Sequence, residues 1–295
     1  MTGMKWTHRT TEKLAAELRS LHINVSARTV AKLLTEMGFS LRANQKKLSS
    51  RSPEQRDEQF TKIAELRECF AAAGRPVISV DTKKKELVGN FKNPGIAWSR
   101  EPIAVRDHDF RSEAEGMAIP YGVYDVNANR GTLFIGMTYD TPQFAVESIE
   151  KWWRTEGKKH YPDSRQLAIL ADCGGSNGVR CRAWKYGLQR DVCDRHQIAI
   201  TVAHYPPGTS KWNPIEHRLF SEVSKNWAGR PLDSYDTILN CIRTTQTSTG
   251  LRVRASLVRK RYAKGITIAD SEMKKLSLER HGPVPMWNYT LQPRS

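Results

Sequence analysis

A mixed α/β sheet flanked by helices, preceded by a small helical module, is the fold class this sequence predicts. Three observations predict it. Apolar runs of strand length alternate with amphipathic stretches of helix length between Pro76 and Trp227. Their order is a strand, a hairpin, and then strand–helix–strand–helix, which calls for antiparallel and parallel pairing in one sheet. Two of the strands end on an aspartate, Asp81 and Asp172, and a third acid, Glu216, stands where a loop runs into a helix.

The elements follow in order. Residues 8–20 form an amphipathic pattern with Leu14, Leu18 and Leu21 on one face. Asn24-Val25-Ser26 makes a turn, and Ser26 is a good N-cap for a second helix, Ala27 to Met37, stopped by Gly38. Val30, Leu33, Leu34 and Met37 supply its apolar stripe. Two short helices across a tight turn make residues 1–41 a helix-turn-helix pattern, with Arg28, Thr29 and Lys32 exposed near the end that would enter a major groove. The same pattern also suits a plain helical hairpin with solvated charges. Residues 42–75 read as a basic linker, 42–52, and a connecting helix from Pro53 to Ala73 that Gly74-Arg75-Pro76 stops.

The main domain is expected over 76–230. Its strands are Pro76–Asp81, Glu86–Phe91, Ile119–Val126, Thr132–Met137, Gln166–Ala171 and Gln197–Val202. Asn127-Ala128-Asn129-Arg130-Gly131 is the hairpin signal. Helices are expected from Thr141 to about Glu156, from Asn177 to His196 with Asn177 near the N-cap, and from Pro214 to Trp227. Residues 92–118 are irregular and hold Asp107, His108 and Asp109, a solvated turn or a substrate contact. Residues 231–295 are expected as a helical and irregular extension. The order of 76–230 fits the sheet called ribonuclease-H-like, in which sites form beyond the carboxyl ends of strands.

Composition narrows the partners. The 295 residues carry 47 Lys and Arg against 31 Asp and Glu, a net charge of +16, which points to a polyanion. No apolar run approaches the roughly 20 residues of a membrane span, and Met1-Thr2-Gly3-Met4-Lys5-Trp6 lacks the apolar centre of a signal peptide. Five scattered cysteines suit reduced thiols in a cytoplasm, and Cys173, Cys181, Cys193 and His196 lack the paired short spacing of a zinc site. Three carboxylates brought together repel one another, and hard Mg²⁺ or Mn²⁺ is the usual remedy. A carboxylate-bound pair of such ions in a basic protein points to phosphodiester chemistry on nucleic acid.

Around Glu216, Pro206-Pro207-Gly208-Thr209-Ser210-Lys211-Trp212-Asn213-Pro214-Ile215-Glu216 resembles the third-acid region of DDE transposases of the IS630/mariner type. The fuller set resembles the ISAzo13 family of bacterial insertion-sequence transposases. It comprises Val80-Asp81-Thr82-Lys83-Lys84-Lys85-Glu86, Asp107-His108-Asp109-Phe110, Ala145-Val146-Glu147-Ser148-Ile149 with Trp152-Trp153, Ala171-Asp172-Cys173-Gly174-Gly175-Ser176-Asn177, Ile215-Glu216-His217-Arg218-Leu219-Phe220, and Trp287-Asn288-Tyr289-Thr290. This resemblance runs over nearly the whole chain from Trp6.

The resemblance implies a ribonuclease-H-like domain whose catalytic and metal-holding triad is Asp81, Asp172 and Glu216, with two Mg²⁺ or Mn²⁺ ions. It implies cleavage at the ends of an insertion sequence and strand transfer into target DNA, with a homodimer or larger assembly pairing the ends, on DNA in a bacterial cytoplasm. Family members extend further upstream, so part of an N-terminal DNA-binding region is expected to be missing. Cys173 stands where a small residue such as glycine is usual. Lys83, Lys84, Lys85 and Lys211 are candidates to neutralise DNA phosphates, while Ser176, Asn177 and Asn213 would support the acid-bearing turns. Trp152, Trp153, Trp184 and Trp227 suit a core better than base stacking. A ribonuclease-H-like nuclease without strand transfer, such as a junction resolvase, and a DNA-binding remnant of a decayed element are the alternatives.

Overall fold

The structure is a computed structural model and describes residues 9–41 and 54–294. The expected basic linker, 42–52, lies outside the described residues. The chain divides into two compact units, Met1–Ser50 and Arg51–Ser295.

The first unit is a helical hairpin. Helix α1 spans Thr11–Ser20, and Thr10 caps it by accepting the Lys13 N–H. Helix α2 spans Ala27–Glu36, and the Ser26 hydroxyl accepts the Thr29 N–H at 3.1 Å, as expected of an N-cap. Among the described residues of this unit only Ala15 and Val30 are buried hydrophobics, and Leu21, Leu33 and Met37 stay exposed. The stripe read from periodicity is therefore only partly used within the hairpin. Arg28, Thr29 and Lys32 are all exposed on α2, with Lys32 lying 3.8 Å from Glu36.

The second unit is built on one sheet. Its strands are β1 (Val77–Thr82), β2 (Glu86–Val88), β3 (Gly116–Asp125), β4 (Arg130–Gly136), β5 (Gln166–Asp172), β6 (Ala199–Tyr205), β7 (Arg252–Val258), β8 (Leu278–Arg280) and β9 (Asn288–Leu291). Their order is β7-β4-β3-β1-β5-β6-β9-β8, with β2 added to β3. β1, β5 and β6 run parallel, and β1–β3–β4 is an antiparallel meander. That five-strand centre is the ribonuclease-H-like arrangement. Residues 231–295, expected as a helical and irregular extension, instead supply β7 to one side of the centre and β9 and β8 to the other. Short strands whose partners lie far away in sequence carry little local signal, since pairing rather than propensity makes them strands.

Period-two alternation divides the side chains between two faces. On one face Ile78, Val80, Leu167, Ile169 and Ala171 pack beneath helices. Those helices are α4 (Pro142–Trp152), which runs on through a π-helical turn, Trp153–Gly157, into α5 (Lys158–His160), and α6 (Arg182–Gly187), which runs on through a second π-helical turn, Leu188–Asp194. Trp152, Trp153 and Trp184 lie in this core. The other face is covered by α3 (Arg56–Ala72), by the helix that starts at Glu216 and continues as α7 (Ser221–Asn226), and by α8 (Tyr235–Arg243). Trp227 is buried there. All four tryptophans are core residues.

The helix expected from Asn177 starts later, at Arg182, with Cys181 at its N-cap position and no side-chain cap. Asn177 instead ends a short 3₁₀ turn, Gly175–Asn177. The last short helix, α9, spans Asp270–Lys274.

Candidate active site at the carboxyl edge of the sheet

Strand register places the first two acids side by side. The β1–β5 ladder pairs Ser79 with Leu170 and Val80 with Ala171, so one further step sets Asp81 beside Asp172. The strands are parallel and in phase, so both carboxylates point to the same face, the one that carries Val77 and Leu170.

Glycine sets the approach of the third acid. Gly122 on β3 is the register partner of Asp81. A Cβ there would come within 2.6 Å of the Phe220 ring and 2.7 Å of Ile215. The missing side chain lets the helix that carries Glu216 settle directly on β3. Glu216 opens a π-helical turn, Glu216–Phe220, whose residues Leu219 and Phe220 are buried against the sheet. Such turns recur at functional sites because the extra residue re-aims neighbouring side chains.

Backbone and side-chain donors fix the two aspartates. Asp81 Oδ1 accepts the Thr82 N–H at 2.7 Å, and Asp172 Oδ1 accepts Asn213 Nδ2 at 3.0 Å. Asn213 is fully buried, and the Ser79 hydroxyl donates to its carbonyl oxygen. The Ile215 N–H in turn donates to Ser79 Oγ at 3.0 Å. One relay, Ser79–Asn213–Asp172, thus locks the loop before Glu216 to β1 and β5. Behind it lies a second brace: buried His204 sits 2.9 Å from the Asp172 carbonyl through Nδ1. Burial holds that imidazole down at about 4, so it is neutral and its Nδ1–H donates. Gln59 of α3 donates to the His204 carbonyl at 2.9 Å and exchanges hydrogen bonds with Asn288 of β9. Asn288 belongs to the Trp287-Asn288-Tyr289-Thr290 motif, whose Tyr289 hydroxyl accepts the Trp184 indole N–H at 3.0 Å.

Electrostatically the site is short of positive charge. Burial first, then the Asp172 charge, pushes Asp81 up to about 8, with Glu216 and Asp140 adding to the push and the Thr82 N–H opposing it. Burial also raises Asp172, against the Asn213 hydrogen bond. Glu216 is raised by burial and then by Asp172, partly offset by a hydrogen bond with Asp81 and by Lys83. None of the three acids has an ion pair within 4 Å among the described residues. Cys173 Sγ donates to the Tyr205 carbonyl at 3.0 Å, and burial pushes its thiol up to about 12, so it offers no thiolate. The available donors are therefore carboxylate oxygens.

The other expected residues fall in different places. Ser176 and Asn177 are buried, and the Ser176 hydroxyl donates to Asn177 Oδ1 at 3.0 Å, so they brace the turn after Asp172. Lys84 and Lys211 are exposed. Lys83 departs from the expectation of a phosphate contact. It is 8% exposed, pairs with Glu86 Oε1 at 3.0 Å and lies 4.4 Å over the Trp227 ring, so its ammonium group is spent inside the fold. Asp107 and His108 are solvent-exposed, 3.8 Å apart, in the irregular segment. Sequence reading missed Ser79, His204 and Asp140. Asp140 follows β4 and accepts the Thr82 hydroxyl at 3.1 Å, which places a fourth acid beside Asp81. Only the loop following Gly136 brings it there, and no local pattern marks it.

Comparison with known proteins gives the chain a family. The family model described as the Rhodopirellula transposase DDE domain matches residues 1–293. Among solved structures, the chain is similar to a Mos1 transposase paired-end complex with left transposon end, at 16% identity and a TM-score of 0.45 over 78% of this chain and 64% of that one. It is likewise similar to a pre-cleavage Mos1 transpososome, at 16% identity and a TM-score of 0.47 over 78% and 64% of the two chains. The chain thus spans less than two thirds of the length of these proteins. No curated protein matches it. With the family match running over nearly its entire length, the chain belongs to the DDE transposase family that this model describes.

Proposed function

We propose that the protein is a DDE transposase that cleaves DNA at insertion-sequence ends and joins the freed ends to target DNA. In this reading Asp81, Asp172 and Glu216 hold two divalent cations, Mg²⁺ or Mn²⁺. The observation that carries the proposal is the convergence of three half-buried acids, each pushed up by burial and two of them by a neighbouring carboxylate as well, on one sheet edge of a family member.

The donor set fits such ions. It is all oxygen, and it carries charge that the protein itself does not neutralise. Among the described residues no group of three or more acidic, histidine or cysteine side chains is already closed around one ion position. When bound, the cations would supply an activated water or 3′-hydroxyl and stabilise the departing oxygen. The chain's own residues do the rest. The Thr82 N–H and Asn213 orient one oxygen of each aspartate. The Ser79 relay ties the Glu216 loop to the same two strands. The depression beside Asp81 and Asp172 is lined by the glycine turn after Asp172 and by Pro206, Pro207 and Gly208, small or rigid residues that leave room for a phosphodiester.

Lys84 and Lys211, exposed in the segments that follow Asp81 and precede Glu216, would meet flanking phosphates. Arg28, Thr29 and Lys32 on α2 would read the element's ends in a major groove. Synapsis of two ends calls for a homodimer or larger assembly acting on DNA in the cytoplasm. No helix among the described residues is long and apolar enough to cross a membrane.

The deciding experiment supplies DNA flanking the gene, with Mg²⁺ or Mn²⁺, and follows cleavage and joining. Metal-dependent cutting at the element's ends with joined products, silent in Glu216→Gln, is expected. Cutting without joining would make the protein a nuclease, and binding without cutting would make it a DNA-binding remnant.

A further inference from the structure

A groove on the sheet face away from the three acids carries a second concentration of charge. It lies between edge strand β7 and the helix formed by α4, its π-helical turn and α5. Alternation along β7 turns Val253 and Ala255 into the core and leaves Arg252 and Arg254 exposed. These arginines and Ser256 face the α4 side: Arg254 bonds Glu156, and Lys151 lies 3.4 Å from Ser256. Ten lysines and arginines line the two parts of the groove against five acids.

The acids are already committed. Glu156 is taken by Arg254, Glu147 by Lys260 at 2.5 Å and Tyr262 at 2.8 Å, and Glu150 by His196 at 3.1 Å. Arg252, Lys159 and Arg259 have no ion pair among the described residues. The strand ladder shows the extent of the groove. Asp81 is level with Gly122, Leu133 and then Ala255, so β7 runs past the level of the acids in both directions. Arg252 to Val258 is six steps, about 20 Å of strand, or roughly six charges along one strand of a duplex.

We propose that this groove binds the phosphate backbone of duplex DNA, at a site separate from the one where the acids act. A long row of cations with surplus charge suits a regular polyanion. The choice of DNA over another polyanion rests on the transposase reading.

The test uses the full chain and a fluorescent duplex of arbitrary sequence, with binding followed by anisotropy across a salt series. Lys159→Ala/Arg252→Ala should lower the slope of log K against log salt by about 1.8, or about 0.9 per lost contact. Arg259→Ala alone, at the other end of the groove, should lower it by about 0.9. Melting curves of both variants should match wild type, because the side chains are exposed and unpaired. An unchanged slope in Arg259→Ala and in a double variant that melts normally would overturn the proposal. So would loss of binding to a poly-glutamate peptide with DNA binding intact, which would assign the groove to an acidic protein. Failure of the transposase reading would show separately, as wild-type protein that binds with the full slope and never cuts.

Discussion

The two faces of the central sheet handle charge in opposite ways. On one, Asp81, Asp172 and Glu216 crowd together half-buried, and no lysine or arginine among the described residues forms an ion pair with them. On the other, Glu147, Glu150 and Glu156 each meet at least one cation, and further arginines are left over. The first arrangement is costly in the protein alone, because like charges in a low-dielectric site push one another towards the neutral form. The second is nearly neutral in cost, because its cations are exposed and its acids satisfied. A site that is strained until an outside charge arrives suits a metal-assisted reaction centre. A site already solvated suits reversible binding of a polyanion.

Removing an acid breaks the first arrangement most directly. Asp81→Asn, Asp172→Asn or Glu216→Gln is expected to lower DNA cleavage at least about 10³-fold, since each removes a ligand from a charge-stabilising centre. Duplex binding should persist in the same proteins. Cleavage at wild-type rates in any one of them would remove that residue from the triad.

Next comes the approach of the Glu216 helix. Gly122→Val places a side chain where Phe220 and Ile215 already lie. It should cost about 1–3 kcal/mol in a denaturant titration. It should also cost about 10²-fold in cleavage, through displacement of Glu216. Unaltered activity would mean that close seating on β3 does not set the position of Glu216.

Stability separates the faces in a third way. In chelator-treated protein Asp81 keeps its proton up to about 8, whereas its ordinary value is 3.8. Between those values the folded chain holds a proton that the unfolded chain has lost. Asp81 therefore contributes a fall in stability as pH rises from about 4 to 8, which buried His204, held down at about 4 against its ordinary 6.5, opposes over the lower part of that range. Asp81→Asn removes that contribution, leaving those of Asp172 and Glu216, and should stabilise the metal-free protein near pH 8 by about 2–5 kcal/mol. Mg²⁺ should raise the melting temperature of wild type and not of the variant. Identical pH profiles in wild type and Asp81→Asn would show that burial at Asp81 is weaker than described.

A smaller effect is expected at the relay. Asn213→Ala frees Asp172 Oδ1 and leaves the Ser79 hydroxyl without its acceptor. Cleavage should drop about 10–100-fold, as for the loss of an outer-shell partner, with a weaker response of the melting temperature to Mg²⁺. The smallest effect belongs to Lys84→Ala, which should reduce the salt slope of binding by about 0.9 and leave stability within about 0.5 kcal/mol.

Much of this was legible in the chain. The strands ending at Asp81 and Asp172 were plain because a buried parallel strand reads as an unbroken apolar run. The Ser26 cap was plain because capping is a local hydrogen bond. Lys83 was misplaced because a run of three lysines looks solvated, while only the fold reveals that Glu86 and Trp227 close over the first of them. Asn177 looked like a cap, but the glycines before it open a 3₁₀ turn and delay the helix. β7, β8 and β9 went unseen because each is made a strand by partners more than eighty residues away or by another short strand.

The sequence by itself determined the central strands, the charge balance and the capped hairpin, since these rest on local periodicity and residue chemistry, and it nominated the three candidate acids through the resemblance of the motifs around them. Only the tertiary structure decided that Asp81 and Asp172 share a register and a face. It alone decided that Gly122 admits the Glu216 helix, that His204 and Asn213 brace the site, and that the arginines of β7 line a groove with α4. Those facts depend on which strands pair and in what phase, and pairing is set by burial summed over the whole sheet rather than by any stretch of neighbouring residues.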